Sequence, residues 1–172
     1  MRLVLCSEGF HTPNTVKACA DLVGKPIKEI SVAIINEAFA VQQGDKRWVL
    51  HNLNCVAENV GGEIDIVNLL ALPLADVERR VQAKDVLFVV GGDPGYLMDV
   101  FVKTGFDKLL PKLLEDKVYV GSSAGSMVMG ERLPKGFYEK LYGDERDFGT
   151  NEYLGLVDFS FVAHLDSADF PR

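Results

Sequence analysis

Ser123 stands at the centre of Gly121-Ser122-Ser123-Ala124-Gly125, directly after the apolar run Val118-Tyr119-Val120 and before the helix-forming stretch Ala124 to Met129. A serine hydroxyl is a poor nucleophile unless the fold exposes it, a base removes its proton and donors stabilise the oxyanion it creates. Glycine two residues before and two after the serine answers the first need. In a strained turn between strand and helix, larger side chains there would strike neighbouring backbone. A tight turn with glycines serving geometry alone, or a helix N-terminus binding phosphate through free N–H groups, would give similar spacing. Neither needs a serine in the middle. Ser122 and Ser126 compete for the role, but the central position projects into the cleft, leaving those two to cap the helix or bond locally.

The base must come from His11, His51 or His164. His51 falls within a helical pattern and reads as a surface or packing residue. His11 follows the first strand at the carboxyl edge of the sheet, where open α/β folds bind ligands, so it reads as a substrate contact. His164 ends an apolar run at the same edge and follows the serine in chain order, as the base does in elbow hydrolases. It is the better base. An orienting acceptor is sought among Glu131, Glu139, Asp144, Glu145, Asp147, Glu152 and Asp158, and spacing does not choose among them. The N–H of Ala124 is one oxyanion donor by elbow geometry, and the Gly91-Gly92 loop offers a second because glycine lets backbone approach the reacting carbon.

The elements that must position these groups alternate. Arg2 to Cys6, Ser31 to Ile35, Glu63 to Leu69, Val86 to Val90 and Val118 to Val120 read as strands. Between them, Asn14 to Val23, Lys46 to Val60 and Asp76 to Ala83 carry helical periodicity, and Tyr96 to Glu115 a helix interrupted at Gly105 and Pro111. Buried parallel strands joined by helical crossovers give this pattern. Pro134 to Glu152 reads as a long loop or flap over the site, and Phe159 to Ala163 as a last strand delivering His164.

With 172 residues, 48% of them hydrophobic, the chain fits one domain, 1–172, with a buried core. A net charge of −7 supplies no broad basic surface, which argues against nucleic acid and anionic membranes as partners. The apolar run near Met1 is too short for a signal sequence or a membrane span. Cys6, Cys19 and Cys55 are odd in number and widely spaced, which suits neither a disulfide framework nor a Cys-x-x-Cys zinc site, so reduced thiols in a cytoplasmic protein without a metal are expected.

Three segments together resemble the peptidase E and cyanophycinase family of serine peptidases. Phe88-Val89-Val90-Gly91-Gly92-Asp93-Pro94-Gly95-Tyr96-Leu97 is similar to its glycine-rich oxyanion segment, Val118 to Ser126 to its nucleophile segment, and Phe161-Val162-Ala163-His164 to its histidine segment. The resemblance implies a three-layer α/β sandwich with a mostly parallel sheet, like class I glutamine amidotransferases and flavodoxin. By position it makes Ser123 the nucleophile, His164 the base, Gly92 and Ala124 the oxyanion donors, and Glu139, with Asp144 close by, the third catalytic residue. Gly91 and Asp93 join His11 as substrate contacts. It further implies small peptide substrates, typically dipeptides with an N-terminal Asp, no cofactor and no metal; Arg132, Arg146 and Arg172 are candidate partners for the substrate carboxylate.

Two departures stand out. Asp93-Pro94 replaces an Asn-Thr pair and removes a backbone donor. The chain is short at its C-terminal end relative to the family, which leaves a second reading open, a binding module without turnover, and hints at partner contacts such as a homodimer. A cysteine enzyme of amidotransferase type is a weaker third reading, since serine occupies the elbow.

Overall fold

The structure is a computed structural model and describes residues 1–133, 136, 151–164 and 167. Among the described residues, five strands form one sheet: β1 Arg2–Cys6, β2 Val32–Ile35, β3 Ile64–Ile66, β4 Val86–Val89 and β5 Val118–Ser122. Their order across the sheet is β1-β5-β4-β2-β3, and every neighbouring pair is parallel. Side chains alternate between the two faces, as strand geometry requires. Val86 and Phe88 point into one apolar cluster with Val32, Ile34, Val118 and Val120, while Leu87 and Val89 join the other with Ala33, Ile35 and Tyr119.

Helices cover both faces, which is why the central strands read as unbroken apolar runs. Cys19 of α1 (Pro13–Val23) and Cys55 and Val56 of α2 (Arg47–Asn59) pack in the Phe88 cluster. On the Tyr119 face lie α3 (Leu74–Gln82), α4 (Pro94–Thr104), α5 (Phe106–Leu113) and the single turn α6 (Ala124–Met127). Each fully buried strand residue such as Leu87 or Phe88 contributes roughly 1.5–3 kcal/mol relative to exposure. The expected interruption of the fourth helical stretch occurs at Gly105, whose φ of 78° ends α4. Pro111 instead sits inside α5.

Order at the carboxyl edge is set by one buried acid. Glu37 occupies the 3₁₀ turn after β2 and is 4% exposed. Its Oε1 accepts from the N–H of Leu69, beyond β3, and its Oε2 from the N–H of Asn36 at 3.2 Å. One carboxyl group thus joins the segments leaving two adjacent strands.

Burial pushes the Glu37 pKa above its ordinary value of 4.5, and the N–H groups donating to it oppose that shift only in part. The native state therefore holds this proton more tightly than the unfolded chain does. The resulting stabilisation is complete below the ordinary value and is lost as pH rises through the raised one. Urea unfolding at a series of pH values should show a flatter stability profile for Glu37→Gln across that window; profiles that run parallel would place the dependence elsewhere.

Candidate functional site

β5 lies between β1 and β4, so the chain leaving it emerges with strand ends on either side. At that point Ser123 adopts φ 49° and ψ −111°, a backbone state outside the broad wells of L-residues. The flanking glycines are required by contact. A Cβ on Gly121 would lie 2.7 Å from the N of Ser126, and one on Gly125 would lie 2.2 Å from the carbonyl oxygen of Val89. Tyr119, fully buried, donates its hydroxyl to the Gly125 carbonyl at 2.5 Å and braces the turn from the core side. The N–H of Ser123 donates to the Cys6 carbonyl at 2.9 Å, tying the turn to the end of β1.

The other serines of the turn are committed elsewhere. Ser126 is wholly buried; its Oγ donates to the Cys6 carbonyl at 2.8 Å and accepts from the Cys6 N–H at 2.9 Å. Ser122, 2% exposed, has its Oγ 3.1 Å from Asn52 Oδ1 and 3.3 Å from the Ser7 carbonyl. Ser123 is partly exposed, and its Oγ lies 2.9 Å from His164 Nε2. Cys6 is the thiol of this neighbourhood. It donates to the Gly121 carbonyl at 3.0 Å, and burial pushes its pKa up to about 11, so it is protonated at neutral pH and is no thiolate nucleophile.

His164 reaches the serine by a route the sequence did not suggest. The run 159–163 forms no strand; the apolar pattern Phe-Ser-Phe-Val-Ala is shared by buried strands and by irregular segments laid on a core, and here it is the second. The chain before it is held by main-chain bonds to the end of α6. The N–H groups of Leu154, Gly155 and Leu156 donate to Val128, Gly130 and Met129 at 2.9, 3.0 and 2.8 Å. Gly130 is then crossed by the carbonyl of Phe159, which would lie 2.0 Å from a Cβ there. Finally the N–H of His164 donates to Ser7 Oγ at 3.0 Å, with His164 itself at φ 61°.

The loop after β4 completes the wall. A Cβ on Gly91 would lie 3.0 Å from the Cβ of Ser123, so Gly91 backbone passes directly beside the nucleophile candidate. Gly92, at φ 145°, packs on Ala38 so closely that a Cβ would meet its carbonyl carbon at 2.2 Å. Asp93 is 8% exposed and caps α4: its Oδ1 accepts from the N–H of Tyr96 at 2.7 Å. Pro94 is the first residue of the helix, where an N–H has no intrahelical partner in any case. The Asp93-Pro94 pair therefore builds the start of α4 at no cost in helical bonding.

Of the residues singled out by sequence, Ser123, His164, Gly91 and the start of α6 at Ala124 are brought together. His11 lies in the 3₁₀ turn Gly9–His11, its Nδ1 3.0 Å from His51 Nε2, so the two minor histidines form a pair of their own. Glu139 and Asp144 lie outside the described residues, as do Arg146, Arg172 and most of the expected flap. Arg132 donates to the Asn151 carbonyl at 3.0 Å and lies over the Tyr153 ring. Ser7, Asn52 and the Cys6 carbonyl were missed. Only the position of Ser7 just past a strand, at the ligand-binding edge, signalled it.

Comparison with known proteins agrees with this architecture. The model of peptidase family S51 matches residues 3–172. An uncharacterized peptidase of Listeria monocytogenes is 25% identical over 156 residues, covering 88% of this chain and 71% of the relative. One from Pasteurella multocida is 28% identical over 114 residues, 64% of this chain and 54% of its own length. Among solved structures, a provisionally assigned peptidase E from Listeria monocytogenes superposes with a TM-score of 0.77 at 21% identity, covering 96% of this chain and 80% of that one. That likeness is one of fold, the flavodoxin-like parallel α/β sandwich.

The packing makes a direct demand on the turn. Gly125→Ala should destabilise the protein by about 3 kcal/mol, since a methyl group cannot occupy space 2.2 Å from the Val89 oxygen without moving β4 or α6. An unchanged urea midpoint would mean that the two elements part easily.

Proposed function

This chain belongs to peptidase family S51, and from that premise we propose that it is a serine peptidase in which Ser123 is the nucleophile and His164 the general base. The observation that carries the reading is the 2.9 Å contact between Ser123 Oγ and His164 Nε2, made by a serine held at φ 49°. A donor and acceptor at that distance can pass a proton as the hydroxyl attacks a carbonyl carbon.

In the first half-reaction His164 takes the Ser123 proton while Oγ bonds to the scissile carbonyl. The proposed donors to the oxyanion that forms are the N–H groups of Gly92, next to the Gly91 backbone that passes beside Ser123, and of Ala124, directly after the serine. His164 then gives its proton to the departing amine, leaving an acyl group on Ser123. In the second half-reaction water attacks the acyl carbon, His164 accepts its proton, and Ser123 is restored. Glu139 is the proposed acceptor for the far side of the imidazole. Substrates are small peptides, with dipeptides bearing an N-terminal aspartate as the favoured class and an arginine, Arg132, Arg146 or Arg172, as partner for the added carboxylate. The three free cysteines are compatible with a cytoplasmic location, and no helix among the described residues is long and apolar enough to cross a membrane.

Ser7 acts on the base through its backbone. Its hydroxyl fixes the N–H of His164 at 3.0 Å, and so the position of the imidazole.

A fluorophosphonate probe should label the protein at Ser123, and Ser123→Ala should abolish labelling and lower kcat on aspartyl dipeptides by at least about 10⁴-fold. Turnover that survives the substitution would sink the serine reading. For Ser7→Ala the expected loss is about tenfold in kcat with KM little changed, the signature of a misplaced base. A change confined to KM would point to substrate binding instead.

A further inference from the structure

Three donor atoms that the hydrolytic reading leaves unused converge on one point. One ring nitrogen each of His11 and His51 and the Sγ of Cys55 all lie within 4.8 Å of one another. His51 and Cys55 are four residues apart on α2, which puts both on one helical face. His11 comes from the 3₁₀ turn after β1, which packs on that face and is tied to it by Asn59 Nδ2, donating to the Phe10 carbonyl at 3.4 Å. We propose that His11, His51 and Cys55 form a binding site for a zinc-class divalent cation, separate from the Ser123–His164 pair and independent of what that pair does.

The spacing suits the ion. Tetrahedral zinc, with Zn–N near 2.0–2.1 Å and Zn–S near 2.3 Å, holds two nitrogens about 3.3 Å apart and a nitrogen and a sulfur about 3.6 Å apart. His11 Nδ1 and His51 Nε2 are 3.0 Å apart, and His51 Nε2 and Cys55 Sγ are 3.6 Å apart. The donor set of two imidazoles and a thiolate selects zinc and its neighbours over magnesium or calcium, which prefer oxygen.

A second observation points the same way. Glu8 Oε2 lies 3.6 Å from His11 Nε2, the ring nitrogen that faces away from the cluster. A carboxylate there favours a proton on Nε2 and leaves the Nδ1 lone pair aimed at the metal, the arrangement that commonly stands behind a metal-bound histidine. His11 and His51 are exposed while Cys55 is buried beneath them, so the ion has a route in from solvent and a protected sulfur at the base. Three protein ligands leave a fourth position for water or an external group.

Occupancy would clamp the turn after β1 to α2. Both carry residues that touch the candidate active site: Ser7, just before that turn, holds His164, and Asn52 of α2 contacts Ser122. The metal would therefore stiffen one wall of the cleft without entering the chemistry.

The test is cobalt titration of the metal-stripped chain. One equivalent of Co²⁺ should bind with a thiolate-to-cobalt charge-transfer band in the near ultraviolet and the visible bands of tetrahedral cobalt, and Zn²⁺ should displace it. The band should vanish in Cys55→Ser and persist in Cys6→Ser and Cys19→Ser. Glu8→Gln should weaken binding roughly 10- to 100-fold, and His11→Ala and His51→Ala by at least as much. Zinc at a hundredfold excess over its Kd should raise the thermal midpoint by about 5–10 °C. Absence of the band, its survival in Cys55→Ser, or unchanged affinity in both histidine variants would overturn the proposal. The histidines are exposed, so their variants remain informative even if the cysteine variant folds poorly.

Discussion

The contact on which the site depends is that between Gly125 and the carbonyl of Val89. Because no side chain separates them, the first turn of α6 sits directly on the end of β4, and the chain between β5 and that helix has no room to relax. Ser123 is the residue that absorbs the constraint, at φ 49° and ψ −111°. Such a conformation costs on the order of 1–3 kcal/mol and persists only where its surroundings over-determine it. Here they do: Tyr119 holds the Gly125 carbonyl, Ser126 brackets both polar groups of Cys6, and Cys6 holds the N–H of Ser123. The energy for this comes from the buried sheet beneath, which gains nothing from the turn but cannot be displaced by it.

The partner imidazole is positioned by a different kind of device. No ladder carries residues 159–163; instead the tail is pinned at two crossings, one at Gly130 under Phe159 and one at Ser7 beneath His164. A sheet strand would have fixed direction and register over its whole length. Two pins fix only where the chain must pass, and that suffices because a single side chain has to be delivered. The cluster of Phe161, Val162 and Ala163 on the Tyr119 face supplies the apolar anchorage between them.

Much of this was legible in the sequence because it rests on local rules. The central strands β2 and β4 read as short apolar, β-branched-rich runs, since burial on both faces leaves no place for polar residues, and Gly121 and Gly125 were legible because close backbone approach admits glycine alone. Chain order singled out His164, which the structure places 2.9 Å from Ser123 Oγ. What stayed hidden depends on which loops the fold brings together: Ser7 and Asn52 have no pattern of their own, and the pairing of His11 with His51 joins residues forty positions apart. Pro94 shows the same limit, since spacing did not say that it would begin a helix. Loss of an N–H matters only where that group has a partner, and the first residue of a helix has none.

Ser123 and His164 are the non-glycine residues with positive φ among those described, and they face each other across 2.9 Å. Relaxing either backbone to a negative φ would swing its side chain away and break the contact between the two. Each is prevented by a backbone bond to the same short stretch of chain: the N–H of Ser123 to the carbonyl of Cys6, the N–H of His164 to the hydroxyl of Ser7. The end of β1 contributes neither member of the pair, yet it holds both in register. A shift of that strand end would move the two groups together, whereas a shift of the turn or of the tail alone would separate them. The geometry of the pair is therefore a property of β1 and its pairing with β5 as much as of the residues that would carry the chemistry.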